Sequence, residues 1–109
     1  MELTSRQRAQ LRALANGIDT ILQVGKDGIG ENLIQQAEDA LEARELIKGR
    51  VLDNNLEYDA RAAAEVLAKA TRSQVVQVIG TRFVLYRESH SKPRDKRIQL
   101  VKPRARRPH

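Results

Sequence analysis

The chain has 109 residues, 40% of them hydrophobic and 31% charged, with a formal net charge of +6. That length suits one domain with a core that needs no covalent staples. There is no cysteine, and the only histidines, His90 and His109, lie in polar C-terminal sequence; disulfides, thiolate metal sites and cysteine nucleophiles are excluded, and no histidine-based catalytic cluster, metal or cofactor is expected.

In chain order, Thr4-Ser5-Arg6-Gln7 reads as a capping box with Thr4 as N-cap. The helix it opens places Leu11, Leu14 and Ala15 on one face and Arg8 and Arg12 together on the polar side, and it should stop at Asn16-Gly17 in a left-handed C-terminal pair. Thr20 to Val24 is a short apolar run, a strand ending at Gly25. After Gly25-Lys26-Asp27-Gly28-Ile29-Gly30 a second helix buries Leu33, Ile34, Ala37, Ala40 and Leu41, while Glu31, Gln35, Glu38, Asp39 and Glu42 form a solvated acidic face. Leu46 to Leu52 is a second strand that runs into the turn-prone Asp53-Asn54-Asn55. A third helix is expected from Tyr58 to Ala70, with Ala60, Ala63, Ala64, Leu67 and Ala70 inward. Its alanines imply close packing. Gln74 to Ile79 and Arg82 to Arg87 are β-rich runs joined by Gly80-Thr81, which suits a type II′ hairpin. Ile98-Gln99-Leu100 is a candidate edge strand. The expected fold is therefore a single-domain α/β sandwich, a mixed four-stranded sheet with three helices in the order α-β-α-β-α-β-β. Residues 1–100 form the domain, and 101–109 form a basic, disordered tail.

The charge is uneven. Residues 82–109 carry net +8, leaving −2 for residues 1–81. A basic block beside a near-neutral body points to an anionic polymer, because neutralising phosphates releases condensed counterions. A solubilising tail is the plainer alternative. The tail has no large apolar anchors, and no apolar run approaches membrane-spanning length. The N-terminus has no secretory layout, so a cytoplasmic protein without a membrane partner is expected.

The strongest candidate for a binding element is Gly25-Lys26-Asp27-Gly28, set between a strand and a helix N-terminus, where free N–H groups favour an anion. Loops of G-x-x-G form clamp single-stranded nucleic acid in KH domains. Other glycine motifs fail. Gly25 and Gly30 have Walker A spacing, but Glu31-Asn32 follow where Lys-Ser or Lys-Thr is required; a Rossmann fingerprint from Gly28 would need glycine where Leu33 stands. A tight turn that binds nothing is the bland reading of the loop alone.

Three blocks extend the pattern: Val24 to Ile29, Glu42-Ala43-Arg44-Glu45-Leu46-Ile47-Lys48, and Gln77 to Arg87. Together with Leu3 to Gln7 and Ile98 to Leu100 they closely resemble the YhbY-like proteins, stand-alone forms of the CRM (chloroplast RNA splicing and ribosome maturation) domain. The resemblance spans about residues 2–100. It implies an RNA-binding domain similar in shape to the C-terminal domain of translation initiation factor three, with bacterial members associated with large-subunit ribosomal precursors. It places the RNA-contacting loop on Gly25, Lys26, Asp27 and Gly28, although Asp27 cannot itself contact phosphate. Gly49 departs from the family, where a β-branched residue is more usual, and suggests a bulge or a close backbone approach.

Further RNA-binding candidates are Lys48 and Arg50, two apart on one sheet face, and Arg82 and Arg87 in the last strand. Arg82 shares a face with Tyr86; Arg87 lies opposite with Phe83 and Leu85. Tyr86 could stack on a base or sit at the core edge. With three aromatics in the chain, affinity should come mainly from charge and backbone contacts. The function these readings favour is non-enzymatic RNA binding, to ribosomal RNA in large-subunit precursors, by a monomer. The alternatives are a protein-interaction adaptor with a nonspecific basic tail, and an RNA-processing enzyme.

Overall fold

The computed structural model describes residues 2–55 and 57–102. Helix α1 spans Ser5–Ala15, strand β1 Thr20–Val24, helix α2 Glu31–Arg44, strand β2 Leu46–Val51, helix α3 Ala60–Thr71, strand β3 Gln74–Ile79 and strand β4 Arg82–Tyr86, with a 3₁₀ turn at Arg94–Lys96. The sheet order is β1-β2-β4-β3, with β1 parallel to β2 and the other pairs antiparallel. The expected α/β sandwich with a mixed four-stranded sheet is thus the fold.

Helices pack on both faces of the sheet, α1 over only part of its own, so the central strand β4 is apolar on both sides. Leu22, Val24, Ile47, Val51, Phe83 and Leu85 pack with α2 and α3. Leu46, Val76, Val84 and Tyr86 pack with Leu11 and Ala15 of α1. In β4 the whole run Phe83 to Tyr86 is buried. Tyr86 is a core residue, 3% exposed, and burial, with Glu45 second, pushes its hydroxyl up to about 12. It cannot serve as a stacking platform.

Gly49 is a close approach. It pairs with Phe83 across β2 and β4 in unbroken register. A Cβ there would lie 2.7 Å from Cε2 of Phe83 and closer still to Cζ, so the ring occupies the place of a side chain. The nearby irregularity belongs to β1, between Thr20 and Leu22.

Local expectations fare unevenly. The capping box is present: Thr4 Oγ1 accepts from Gln7 N at 3.2 Å, and Gln7 Oε1 accepts from Thr4 N at 3.0 Å. Gly80 takes φ 58 at the hairpin, as a type II′ turn requires. The left-handed stop at Asn16-Gly17 does not form. Asn16 keeps φ −63, and the N–H groups of Asn16, Gly17 and Ile18 bond three residues back, so α1 ends by tightening. Leu14 is exposed as a result of its position on the outer side. Helix α3 starts at Ala60, because Asp59 is the N-cap and accepts from Ala62 N at 2.7 Å. It buries Ala68 and Thr71 rather than Ala70.

Two expectations need correcting at the far end of the sheet. Residues 98–100 form no strand. They are held by side chains: Ile98 N donates to Glu45 Oε1 at 2.6 Å, and Gln10 Nε2 donates to Gln99 O at 2.7 Å. Side-chain partners have satisfied the backbone groups that a sheet edge would have used. The acidic face of α2 is likewise only partly solvated, since Glu38 and Glu42 receive Arg87. Order continues into Val101, whose N–H and carbonyl bond the side chains of Gln10 and Gln7. The rest of the expected tail, from residue 103, lies outside the described residues. Among the described residues no helix is long and apolar enough to cross a membrane.

Candidate nucleic-acid interface

The G-x-x-G loop leaves β1 at one end of the sheet. Gly25 O accepts from Gly28 N at 3.0 Å, closing a turn, and Gly28 takes φ 71. A side chain at 28 would be strained at that φ, and its Cβ would come within 3.1 Å of Glu57 Oε2. Lys26 and Asp27 are exposed at the tip. Gly30 caps α2 without a side-chain acceptor, so the first-turn amides open onto a cavity of about 620 Å³ lined by the loop, Gln23 and Asn32.

The loop is braced by a residue that sequence reasoning did not single out. Asn55 Nδ2 donates to Gly25 O at 2.7 Å, while its Oδ1 accepts from the N–H groups of Glu57 and Tyr58 at 3.0 and 2.8 Å. One amide thereby ties the β1–α2 loop to the β2–α3 loop. The sequence showed only a turn-prone Asp-Asn-Asn; a contact thirty residues away has no local signature.

Sheet register brings three of the candidate cations to the same end. Gln23 pairs with Arg50, Arg50 with Arg82, and Arg82 with Ile79, a transverse row across all four strands. The row behind it holds Lys48, Val84 and Gln77. Since Val84 faces α1, both rows lie on the α1 side of the sheet, beyond the end of that helix. Bonds from Leu52 N to Val24 O (2.9 Å) and from Val51 N to Thr81 O (2.8 Å) draw the glycine loop and the hairpin to this one end. Arg50 and Arg82 are direct cross-strand neighbours, an arrangement that like charges disfavour. Among the described residues none of Lys26, Lys48, Arg50 and Arg82 forms an ion pair. Arg50 Nε is buried with no hydrogen-bond partner.

Arg87 is not brought to this surface. It sits at the opposite end, its side chain 14% exposed, against Glu38 Oε2 at 2.7 Å and Glu42 Oε1 at 3.3 Å, and it also donates to Thr71 O at 2.9 Å. Glu42 in turn accepts from the hydroxyls of Ser89 and Ser91 and from the N–H groups of His90 and Ser91. The Ser91 hydroxyl and amide, then Ser89, hold the Glu42 carboxyl down at about 2. Glu45, fully buried at φ 66, accepts from Ser89 N at 2.7 Å as well as from Ile98. Arg87 and the two carboxylates therefore anchor the strap of residues 88–101.

The structure is an α/β sandwich with a glycine loop and, among the described residues, a cation row without ion pairs at one sheet end. Residues 3–87 match the family model of the CRS1/YhbY (CRM) domain, and the chain belongs to that family. It is 49% identical over 98 residues to "Probable RNA-binding protein YqeI" of Bacillus subtilis, covering 90% of this chain and 98% of that protein. It is 31% identical over 98 residues to an RNA-binding protein of Haemophilus influenzae, covering 90% and 94%. The solution structure of the hypothetical protein SAV1595 from Staphylococcus aureus superposes with a TM-score of 0.71 at 49% identity, covering 92% of this chain and all of that one.

Proposed function

We propose that this protein is a non-enzymatic RNA-binding module that acts as a monomer on ribosomal RNA in large-subunit precursors. Its RNA surface is the Gly25-Lys26-Asp27-Gly28 loop together with Lys48, Arg50 and Arg82. The observation that carries the reading is the set of cations that form no ion pair among the described residues at the end where the glycine loop emerges, in a chain of the CRM family. The loop admits the phosphate backbone closely because its glycines have no side chains, and Lys26 supplies charge at the tip. Asp27, as a carboxylate, cannot itself contact phosphate and limits how many anions the loop can hold.

Titration with single-stranded ribosomal RNA fragments across salt concentrations tests it. Four phosphate contacts give a slope of log K against log salt of about −3. Lys26→Glu should weaken binding by about tenfold or more and flatten the slope, with thermal stability unchanged. Binding as tight as the parent would remove the loop from the interface. Crosslinking in cells with sequencing of the bound RNA tests the ribosomal part, which predicts enrichment of large-subunit RNA over other transcripts.

A further inference from the structure

Helix α1 covers only part of its sheet face. Beyond Ala15 an open cleft of about 170 Å³ is bounded by Asn16, Lys48, Gln77, Ile79, Arg82 and Val84. We infer that this cleft receives one unstacked base of a single-stranded RNA whose adjoining phosphate lies on Arg50 and Arg82. The inference rests on the RNA-binding reading and adds to it a base-binding subsite built from Asn16, Gln77 and Ile79.

The lining has the chemistry of a nucleobase. Ile79 offers an aliphatic surface beside the buried Val84, and Ile79 is 63% exposed, the most exposed large apolar side chain among the described residues. A base has an apolar face on each side and donors and acceptors around its edge. The amides of Asn16 and Gln77 carry both donors and acceptors at the rim of the cleft. Phe83 and Tyr86 are buried, so aliphatic contact replaces the aromatic stacking common in single-strand binders.

Electrostatics and spacing point the same way. The Arg50–Arg82 row and the Lys48–Gln77 row are two residues apart along the strands, roughly 7 Å. That separation matches the reach from a phosphate to its own base. A phosphate on the arginine row would relieve the like-charge pair Arg50–Arg82. An acidic peptide could satisfy the arginines, but it would leave the amide-rimmed aliphatic floor unused. A duplex keeps its bases stacked and paired, so only a single strand can fill the cleft.

The test is fluorescence anisotropy with oligo(A), oligo(C) and oligo(U) of about ten nucleotides, and an RNA duplex of equal length. The parent, Gln77→Ala, Ile79→Ser and Lys26→Glu are compared, each checked by thermal melting. Gln77 and Ile79 lie on the edge strand β3, where truncation leaves the core intact. The parent should distinguish the three single strands by about fivefold or more and bind duplex more weakly. Gln77→Ala and Ile79→Ser should compress that preference to less than about twofold without changing the salt slope. Lys26→Glu should change the slope and keep the preference. Base preference retained in both cleft variants, or duplex bound as tightly as single strand, overturns the cleft assignment alone. Failure of the parent to bind any of the RNAs overturns the RNA reading and the cleft with it.

Discussion

The two ends of the sheet carry the same kind of residue and treat it in opposite ways. At the strap end, Arg87 is enclosed by Glu38 and Glu42, and Arg97 meets Glu88 at 3.0 Å. At the loop end, Arg50 and Arg82 stand side by side with no carboxylate, and Lys26 and Lys48 are equally unpaired among the described residues. The first arrangement holds the chain together. The second raises the energy of the free protein slightly, and a bound anion would relieve it. Net charge therefore does not show which cations are free to meet an anion: the C-terminal third carries half of the basic residues, yet two of its arginines serve internal bonds.

The strongest way to break this contrast is to remove Arg87. Arg87→Ala leaves Glu38 and Glu42 without their cation and should destabilise the fold by about 2–3 kcal/mol, a figure reduced because both carboxylates are partly exposed. Urea unfolding measures it. RNA affinity at a temperature where the variant is folded should stay within about twofold of the parent. A large loss of affinity with little loss of stability would place Arg87 in the interface instead.

Acid probes the same end. The Glu42 carboxyl lies at about 2 in the folded protein against an ordinary 4.5. A lowered folded value means that its contribution is complete above about pH 4.5 and is lost as pH falls through about 2. Glu42→Gln should be less stable than the parent at neutral pH and should show a shallower decline in melting temperature between those values. Parallel pH profiles for parent and variant would show that the serine and amide contacts do not hold the strap.

At the loop end, Asn55→Ala should cost about 1 kcal/mol and weaken RNA binding by about fivefold, since the loop then samples conformations that cannot clamp phosphate. Amide exchange at Gly25 and Gly28 should accelerate in parallel; unchanged exchange would mean that the turn needs no brace. The smallest effect has the most telling sign. Arg82→Ala should weaken RNA binding while leaving stability unchanged or raising it by a few tenths of a kcal/mol, through relief of the Arg50–Arg82 repulsion. A clear loss of stability would make Arg82 structural, and the two ends of the sheet would then be alike.

Local sequence alone determined the elements and several of their limits. The Thr4–Gln7 box, the strand at 20–24, the periodic stripe of α2 and the glycine at the hairpin are decided within a few residues, because capping, periodicity and positive φ are local physics. The glycine loop was legible for the same reason, and the family blocks were legible through their resemblance to known CRM sequences. The tertiary structure alone decided which charges are free. Arg82 opens β4 and Arg87 directly follows it, yet one faces Arg50 across the sheet and the other meets carboxylates more than forty positions earlier. Likewise the acidic face of α2 looked solvated until the strap folded onto it, and Asn55 looked like an ordinary turn residue until the loop at Gly25 came within hydrogen-bond reach. Ion pairing and loop bracing depend on sheet register and chain return, which no window of neighbouring residues contains.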